Sequence, residues 1–344
     1  MDKNKQKKLF FVWAILVLLM VSAVGFYITF GGYLGRSMPG MAVNGKYYYH
    51  IIGSGVYEYT PGGQSIKLMK SYGFNDRLEV SEDGLYLAKG KEVYFYDFSS
   101  GEERMFFSGK GYDCRRIYHT VMTNGDVEIT LYDDVYSACS TVLKGGTGEV
   151  VSPAGEWVGI GQLIGNNSFY IGDRHIVKNF GVKGNMSFVT LEENGANILP
   201  EDVAVYSGGP NKCGDKVIFG LYTGTYGTDS ALLVLSPDGN DEILRIPDYP
   251  ELLIYNYQNN IYGDYAFYKN GEYFICHNIR TGESWPLADF GRDRNPALVM
   301  GVTMDENFVY TYADGRKTRD CWEIVRDSRG KPTELKLIAD NIYK

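Results

Sequence analysis

Guanidinium groups recur beside carboxylates at three places in this chain: Asp76-Arg77, Asp113-Cys114-Arg115-Arg116 and Arg292-Asp293-Arg294. A guanidinium presents a planar fork of N–H donors that matches a carboxylate or a phosphate with two bonds at a time. Three such clusters converging on one surface would hold an anionic group. Trp157, Tyr226 and Tyr255 stand in stretches that read as loops, where their rings are suited to stacking on a sugar or on an aromatic side chain of a peptide. Ion pairs with the adjacent aspartates, and packing for the rings, are the plainer roles of the same residues.

Nucleophilic and metal chemistry have no comparable support. His50, His119, His175 and His277 are scattered, none in a metal-type pattern, and read as structural. Gly53-Ser54-Gly55 is a short turn, not a nucleophile elbow. Gly159-Ile160-Gly161 followed by Gly165 has its third glycine one position late for a dinucleotide loop, and no helical pattern follows. Asp238-Gly239-Asn240-Asp241-Glu242 crowds oxygen ligands on a turn, but Ile243 stands where a calcium loop needs glycine and Tyr249 where it needs glutamate. It reads as a solvated hairpin. Asp133-Asp134 and Glu192-Glu193 need a partner carboxylate across a cleft before acid–base work on a glycoside makes sense. The sequence therefore assigns no catalytic residue, no cofactor and no metal site. Of the five cysteines, Cys114 and Cys139 fall in the same repeat and are placed to bond in an oxidising exterior. Buried small hydrophobes are the plainer reading of all five.

The elements that must position these groups are short strands. Seven times the chain repeats an aromatic-rich run, a polar break, a second run, a glycine-centred turn and a third run, with turn glycines at Gly63, Gly101, Gly148, Gly195, Gly239, Gly282 and Gly330. Spacings of 38, 47, 47, 44, 43 and 48 residues are those of β-propeller blades. The second repeat shows the grammar: Arg77 to Ser81, Gly84 to Ala88, Glu92 to Phe98 and Glu103 to Phe107. Both faces of its third strand are apolar or aromatic, as a sheet wedged between two neighbours requires. An inner strand from Gly40 to Val43 and an outer strand from Glu334 to Ile338 complete seven blades. The third and fourth repeats are the least regular, which leaves six or eight open. No amphipathic helical pattern follows Phe30. In this arrangement the three arginine clusters fall where an outer strand hands over to the inner strand of the next blade.

Ahead of the repeats, residues 9–30 are 22 consecutive positions without a charge, long enough to cross a ~30 Å hydrocarbon core. Lys3, Lys5, Lys7 and Lys8 precede the run, whereas the ten residues after it offer only Arg36, which orients the N-terminus to the cytoplasm. A cleaved signal peptide ending at Val21-Ser22-Ala23 is the rival reading, but the apolar run continues seven residues further. The organisation is then a cytoplasmic tail at 1–8, an anchor at 9–30, a linker at 31–39 and a propeller at 40–344 outside the cell. Beyond the tail, 30 basic residues face 41 acidic ones, a net −11, which disfavours nucleic acid as a partner. The patch Arg316, Lys317 and Arg319 beside Asp314-Gly315 reads as a solvated hairpin turn.

The glycine-turned, tyrosine-rich blades behind one anchor resemble the extracytoplasmic seven-bladed propellers of the TolB-like and WD-repeat-like kind found in bacteria, over about residues 40 to 340. The histidine and Trp-Asp signature of true WD repeats is missing, so the resemblance carries no functional residue with it. It implies an all-β binding platform. The expected function is a membrane-anchored exterior propeller that engages a protein or a cell-envelope glycan through Arg77, Arg115, Arg116, Arg292, Arg294, Trp157, Tyr226 and Tyr255. An exterior carbohydrate hydrolase or lyase with carboxylates in the channel is the alternative. Protease added to intact cells is expected to remove the propeller and leave a short membrane-bound stub; full-length protein recovered only from the cytosol would contradict the anchor.

Overall fold

The computed structural model describes residues 40–70, 77–122, 124–133, 137–159, 168–183, 186–200, 203–205, 211–213, 216–223, 229–245, 260–290, 301–312 and 319–342. Their strands form six antiparallel sheets, and the nine-stranded one is two blades joined by a single pairing of Val189 with Val205. The result is a seven-bladed propeller. Blades 1 to 7 occupy residues 41–70, 77–108, 116–159, 168–197, 203–245, 260–289 and 301–339. The second matches the sequence reading strand for strand: Arg77–Val80, Gly84–Lys89, Glu92–Asp97 and Glu103–Ser108.

All seven glycine turns lie between the third and outer strands of their blades. Six of the glycines take a positive φ, but in blade 1 that conformation belongs to Gly62, with φ 78°. Gly63 instead donates its amide to the Thr60 carbonyl at 2.8 Å, closing the turn.

Why the strands are apolar on both faces is visible at the seams. Blade 2 turns Val80, Leu85 and Leu87 toward Tyr48, Val56 and Met69 of blade 1. Its other face sets Tyr86, Ala88, Val93 and Phe95 against Ile117, Val127, Ile129 and Leu131 of blade 3. Similar apolar wedges join blades 4 and 5, 5 and 6, 6 and 7, and 7 and 1. Full burial of each such side chain contributes about 1.5–3 kcal/mol. Cys114, Cys139, Cys276 and Cys321 are buried free thiols, so the plainer reading holds for these four.

Among the described residues blade 7 is built of its own four consecutive strands, and its contacts with blade 1 run through side chains. The Tyr47 and Tyr310 rings stack at 4.2 Å. Thr303 Oγ1 donates to the Gly40 carbonyl at 3.2 Å, and Ser65 Oγ to the Ile342 carbonyl at 2.5 Å. Arg319, which the sequence placed in a solvated hairpin, is fully buried. Its guanidinium lies over Tyr47 at 5.2 Å and Tyr49 at 5.7 Å, because two aromatic faces offer a desolvated cation what water would otherwise supply. Arg316 and Lys317 lie outside the described residues. Among the described residues no helix is long and apolar enough to cross a membrane, and residues 1–39 are not among them.

Because Tyr310 is fully buried in this seam, Tyr310→Ala is expected to lose about 3–5 kcal/mol, as large-to-small core changes of aromatics do. The exposed Tyr112→Ala should stay within about 0.5 kcal/mol. Urea denaturation of the two variants checks this, and equal losses would contradict a closing role for the seam.

Candidate functional site

Arg77 opens the inner strand of blade 2, and Arg115 and Arg116 lead into that of blade 3, Arg116–Val121. Arg77 and Glu79 share the face of their strand that carries Tyr86 and Ala88 in register, the face packed on blade 3. Yet the Arg77 guanidinium lies 5.6 Å over the ring of Tyr118, which alternates with the buried Ile117 and His119 and so occupies the opposite face of blade 3. The guanidinium therefore passes the inner edge of that strand, at the central channel. There its Nε and Nη2 each reach Glu79 Oε1 at 3.3 Å. Arg77 is too open for the pair to hold much stability, whereas Glu79 is largely buried.

Tyr118 meets Tyr132 edge-on at 5.0 Å. Tyr132 stands opposite Arg116 in register, and its carbonyl accepts from the Arg115 amide at 2.7 Å. Two arginines thus flank one tyrosine pair. Arg116 is exposed and makes no ion pair among the described residues. Two carboxyls stand close by on the same strands. Burial raises the Glu79 carboxyl above its ordinary value despite Arg77, and raises Glu128 despite a hydrogen bond from Ser140. Burial also raises the Tyr132 phenol, helped by Tyr118 and Glu128 and opposed by Arg77. A site of this kind can bind an anionic group by the guanidinium forks and rest a flat ligand against the phenol rings.

Trp157 is exposed, but it precedes the outermost pairing of blade 3, Val158–Gly159. Three strand spacings, roughly 14 Å, separate it from the inner strand, so it does not share the arginine site. Tyr226, Tyr255, Arg292 and Arg294 lie outside the described residues, as does Asp76. Arg77 takes Glu79 as its ion-pair partner. Sequence reasoning missed Tyr118, Tyr132, Glu79 and Glu128. For Tyr118, Tyr132 and Glu128 the signal is the alternation of Arg116–Val121 and Val127–Tyr132, which marks a one-sided sheet amid two-sided ones.

Other charged turns are structural. Arg174 of blade 4 holds Glu193 at 2.9 and 2.8 Å and Asp241 of blade 5 at 2.7 and 2.8 Å. Glu242 is held by Arg280, and Asp238 by Asn240. The oxygen-rich turn at 238–242 thus clamps neighbouring blades, and no group of three or more metal-type ligands occurs among the described residues.

No family model matches the chain, and no curated protein sequence matches it significantly. Solved structures do. The β-propeller domain of the Trilobed protease from Pyrococcus furiosus, described as having an open velcro topology, superposes with a TM-score of 0.53 at 10% identity, over 89% of this chain and 98% of that one. Acylaminoacyl peptidase from Pyrococcus horikoshii gives 0.52 at 10% identity over 89% of this chain, and puromycin hydrolase 0.51 at 10% over 89%. The chain spans about half of each of those two, 52% and 53%. The likeness shows the fold alone.

His119 lies beneath Arg77, its Nε2 donating to the Tyr86 carbonyl at 3.2 Å across the seam. Burial, with Arg77 adding to it, lowers the imidazole to about 4. A depressed histidine is protonated first in the unfolded chain, so stability falls as pH drops from about 6.5 toward 4. The loss between pH 7 and 5 is expected to be roughly 2 kcal/mol. Denaturation midpoints of wild type and His119→Gln at both pH values isolate it; an identical pH slope in the two would contradict it.

Proposed function

We propose that this chain is a membrane-anchored, extracytoplasmic binding propeller whose channel-side site on blades 2 and 3 takes an anionic group of a protein or cell-envelope glycan. The observation that carries this reading is the Arg77 guanidinium at the channel edge over Tyr118, beside an Arg116 without an ion pair among the described residues. Arginines kept at a solvent-facing channel, rather than in blade-to-blade clamps like that of Arg174, are placed to meet an incoming carboxylate or phosphate. The apolar run at 9–30 with its preceding lysines supports the tether and the outward orientation.

Glu79 and Glu128 favour a second reading, a carbohydrate hydrolase or lyase, because a carboxyl raised by burial is suited to act as a general acid. The two readings part on substitution. In the binding reading, Arg77→Ala with Arg116→Ala in the full-length protein in detergent micelles is expected to abolish capture on immobilised acidic polysaccharide and acidic peptide. Its denaturation midpoint should hardly change, since exposed arginines contribute about 0–1 kcal/mol. A stability loss with capture intact would make the arginines framework. Release of reducing ends that Glu79→Gln or Glu128→Gln abolishes would replace binding by catalysis.

A further inference from the structure

The two ends of the ring differ in charge. The first strand of each blade starts at one end and finishes at the other, so Gly40, Arg77 and Arg116 share an end. The connector between blades 2 and 3 lies there too, because the Gly109 amide donates at 2.8 Å to the carbonyl of Lys91, in the turn between the second and third strands of blade 2. On blades 1 to 3 this end presents Lys70, Arg77, Lys91, Lys110, Arg115 and Arg116, all exposed. Apart from the channel-wall Glu79, the carboxylates beside them are Glu92, which takes Lys110 at 2.5 Å, Asp113 and Asp133. Glu272 and Asp340 stand farther round, on blades 6 and 7. At the opposite end the turns between first and second strands carry Asp83, Asp126, Asp173, Asp264 and Asp305, and no lysine or arginine among the described residues. Lys144, Arg280 and Lys331, in the outer turns of that end, are paired with Asp126, Asp264 and Glu283.

The tether enters at the basic end. The proposed anchor stops at residue 30, and blade 1 begins at Gly40, whose carbonyl accepts from Thr303 Oγ1 of blade 7. The nine residues between, 31–39, reach at most ~32 Å. A domain the size of residues 40–344 has a radius of gyration of roughly 19 Å, so the path from Gly40 around the rim to the acidic end is longer than the tether. An anionic bilayer would also repel that acidic end and attract the bases of the other, as it does other basic clusters beside membrane anchors. Between Lys110 and Arg115 stands the exposed Tyr112, its ring stacked on Phe107 at 6.0 Å. A phenol with an apolar body suits the headgroup level of a membrane, and guanidinium forks match phosphate oxygens two at a time.

We infer that this basic end faces the bilayer that holds the anchor, and that Arg77, Arg115 and Arg116 take the phosphate of an anionic phospholipid in its outer leaflet. This rests on the tether of the proposed function and goes beyond its glycan or protein ligand by giving the same arginines a lipid partner. For the test, the full-length protein is reconstituted into vesicles of phosphatidylcholine mixed with phosphatidylglycerol. Benzoylphenylalanine replaces either Tyr112, at the basic end, or Glu82, in an exposed turn at the acidic end, and the samples are irradiated. Lipid adducts, read by mass spectrometry of the labelled peptide, are expected at 112 at least about tenfold more often than at 82, with phosphatidylglycerol enriched over its share of the mixture. Arg77→Ala with Arg115→Ala and Arg116→Ala should abolish that enrichment while flotation with the vesicles and the denaturation midpoint are kept. Equal adducts at the two positions, or adducts at 82 alone, would overturn the orientation. Adducts at 112 without enrichment, or enrichment that survives the triple variant, would overturn the headgroup site. A protein that does not float with the vesicles would overturn the tether and this inference with it. Enrichment at 112 in a protein that captures neither acidic polysaccharide nor acidic peptide would support the lipid partner and count against the glycan or protein ligand alone.

Discussion

The contact between Tyr47 and Tyr310, with Arg319 buried over the neighbouring rings, is what makes this string of blades a ring. Each blade has two faces to bury, and an open arc of blades would leave two terminal faces in water. Among the described residues the closing contacts are ring stacking, about 0.5–1.5 kcal/mol beyond burial, and a desolvated cation–π contact of about 2 kcal/mol. The channel, and with it any site on its wall, takes its diameter from that closure.

Much of the architecture was legible because its causes are local. Turn glycines, short runs and two-faced aromatic patterning report directly on hairpins and on burial between neighbours. What escaped depended on contacts distant in sequence. Arg319 sits in a charged stretch that looks solvated, and only the rings of Tyr47 and Tyr49, far away in the chain, make its burial intelligible. Arg77 was legible as a channel-side group. That it would lie over Tyr118 was not, since nothing local ties residue 77 to residue 118. Nothing local in the sequence singles out Glu79 and Glu128, whose carboxyls are raised chiefly by burial.

Blade 3 has two unlike sides. One side of it is a conventional wedge against blade 2, and the other is polar, aromatic and partly open. The alternation along its two innermost strands gives that blade its half-open face. Blades 4 to 6, by contrast, spend their charges on each other through Arg174 and Arg280.

Every blade is built from consecutive residues, which has a kinetic consequence. Blade 1 is complete in sequence by residue 70, so hairpins and then blades can form in order while later segments are still being made. Low sequence separation within blades favours fast local steps. Only the last seam joins groups as far apart as Ser65 and Ile342, 277 residues, and by then the preceding blades have already curved the ends toward each other. Its contacts would then form after the main barrier, so they act less on how fast the chain folds than on how slowly the finished ring comes undone.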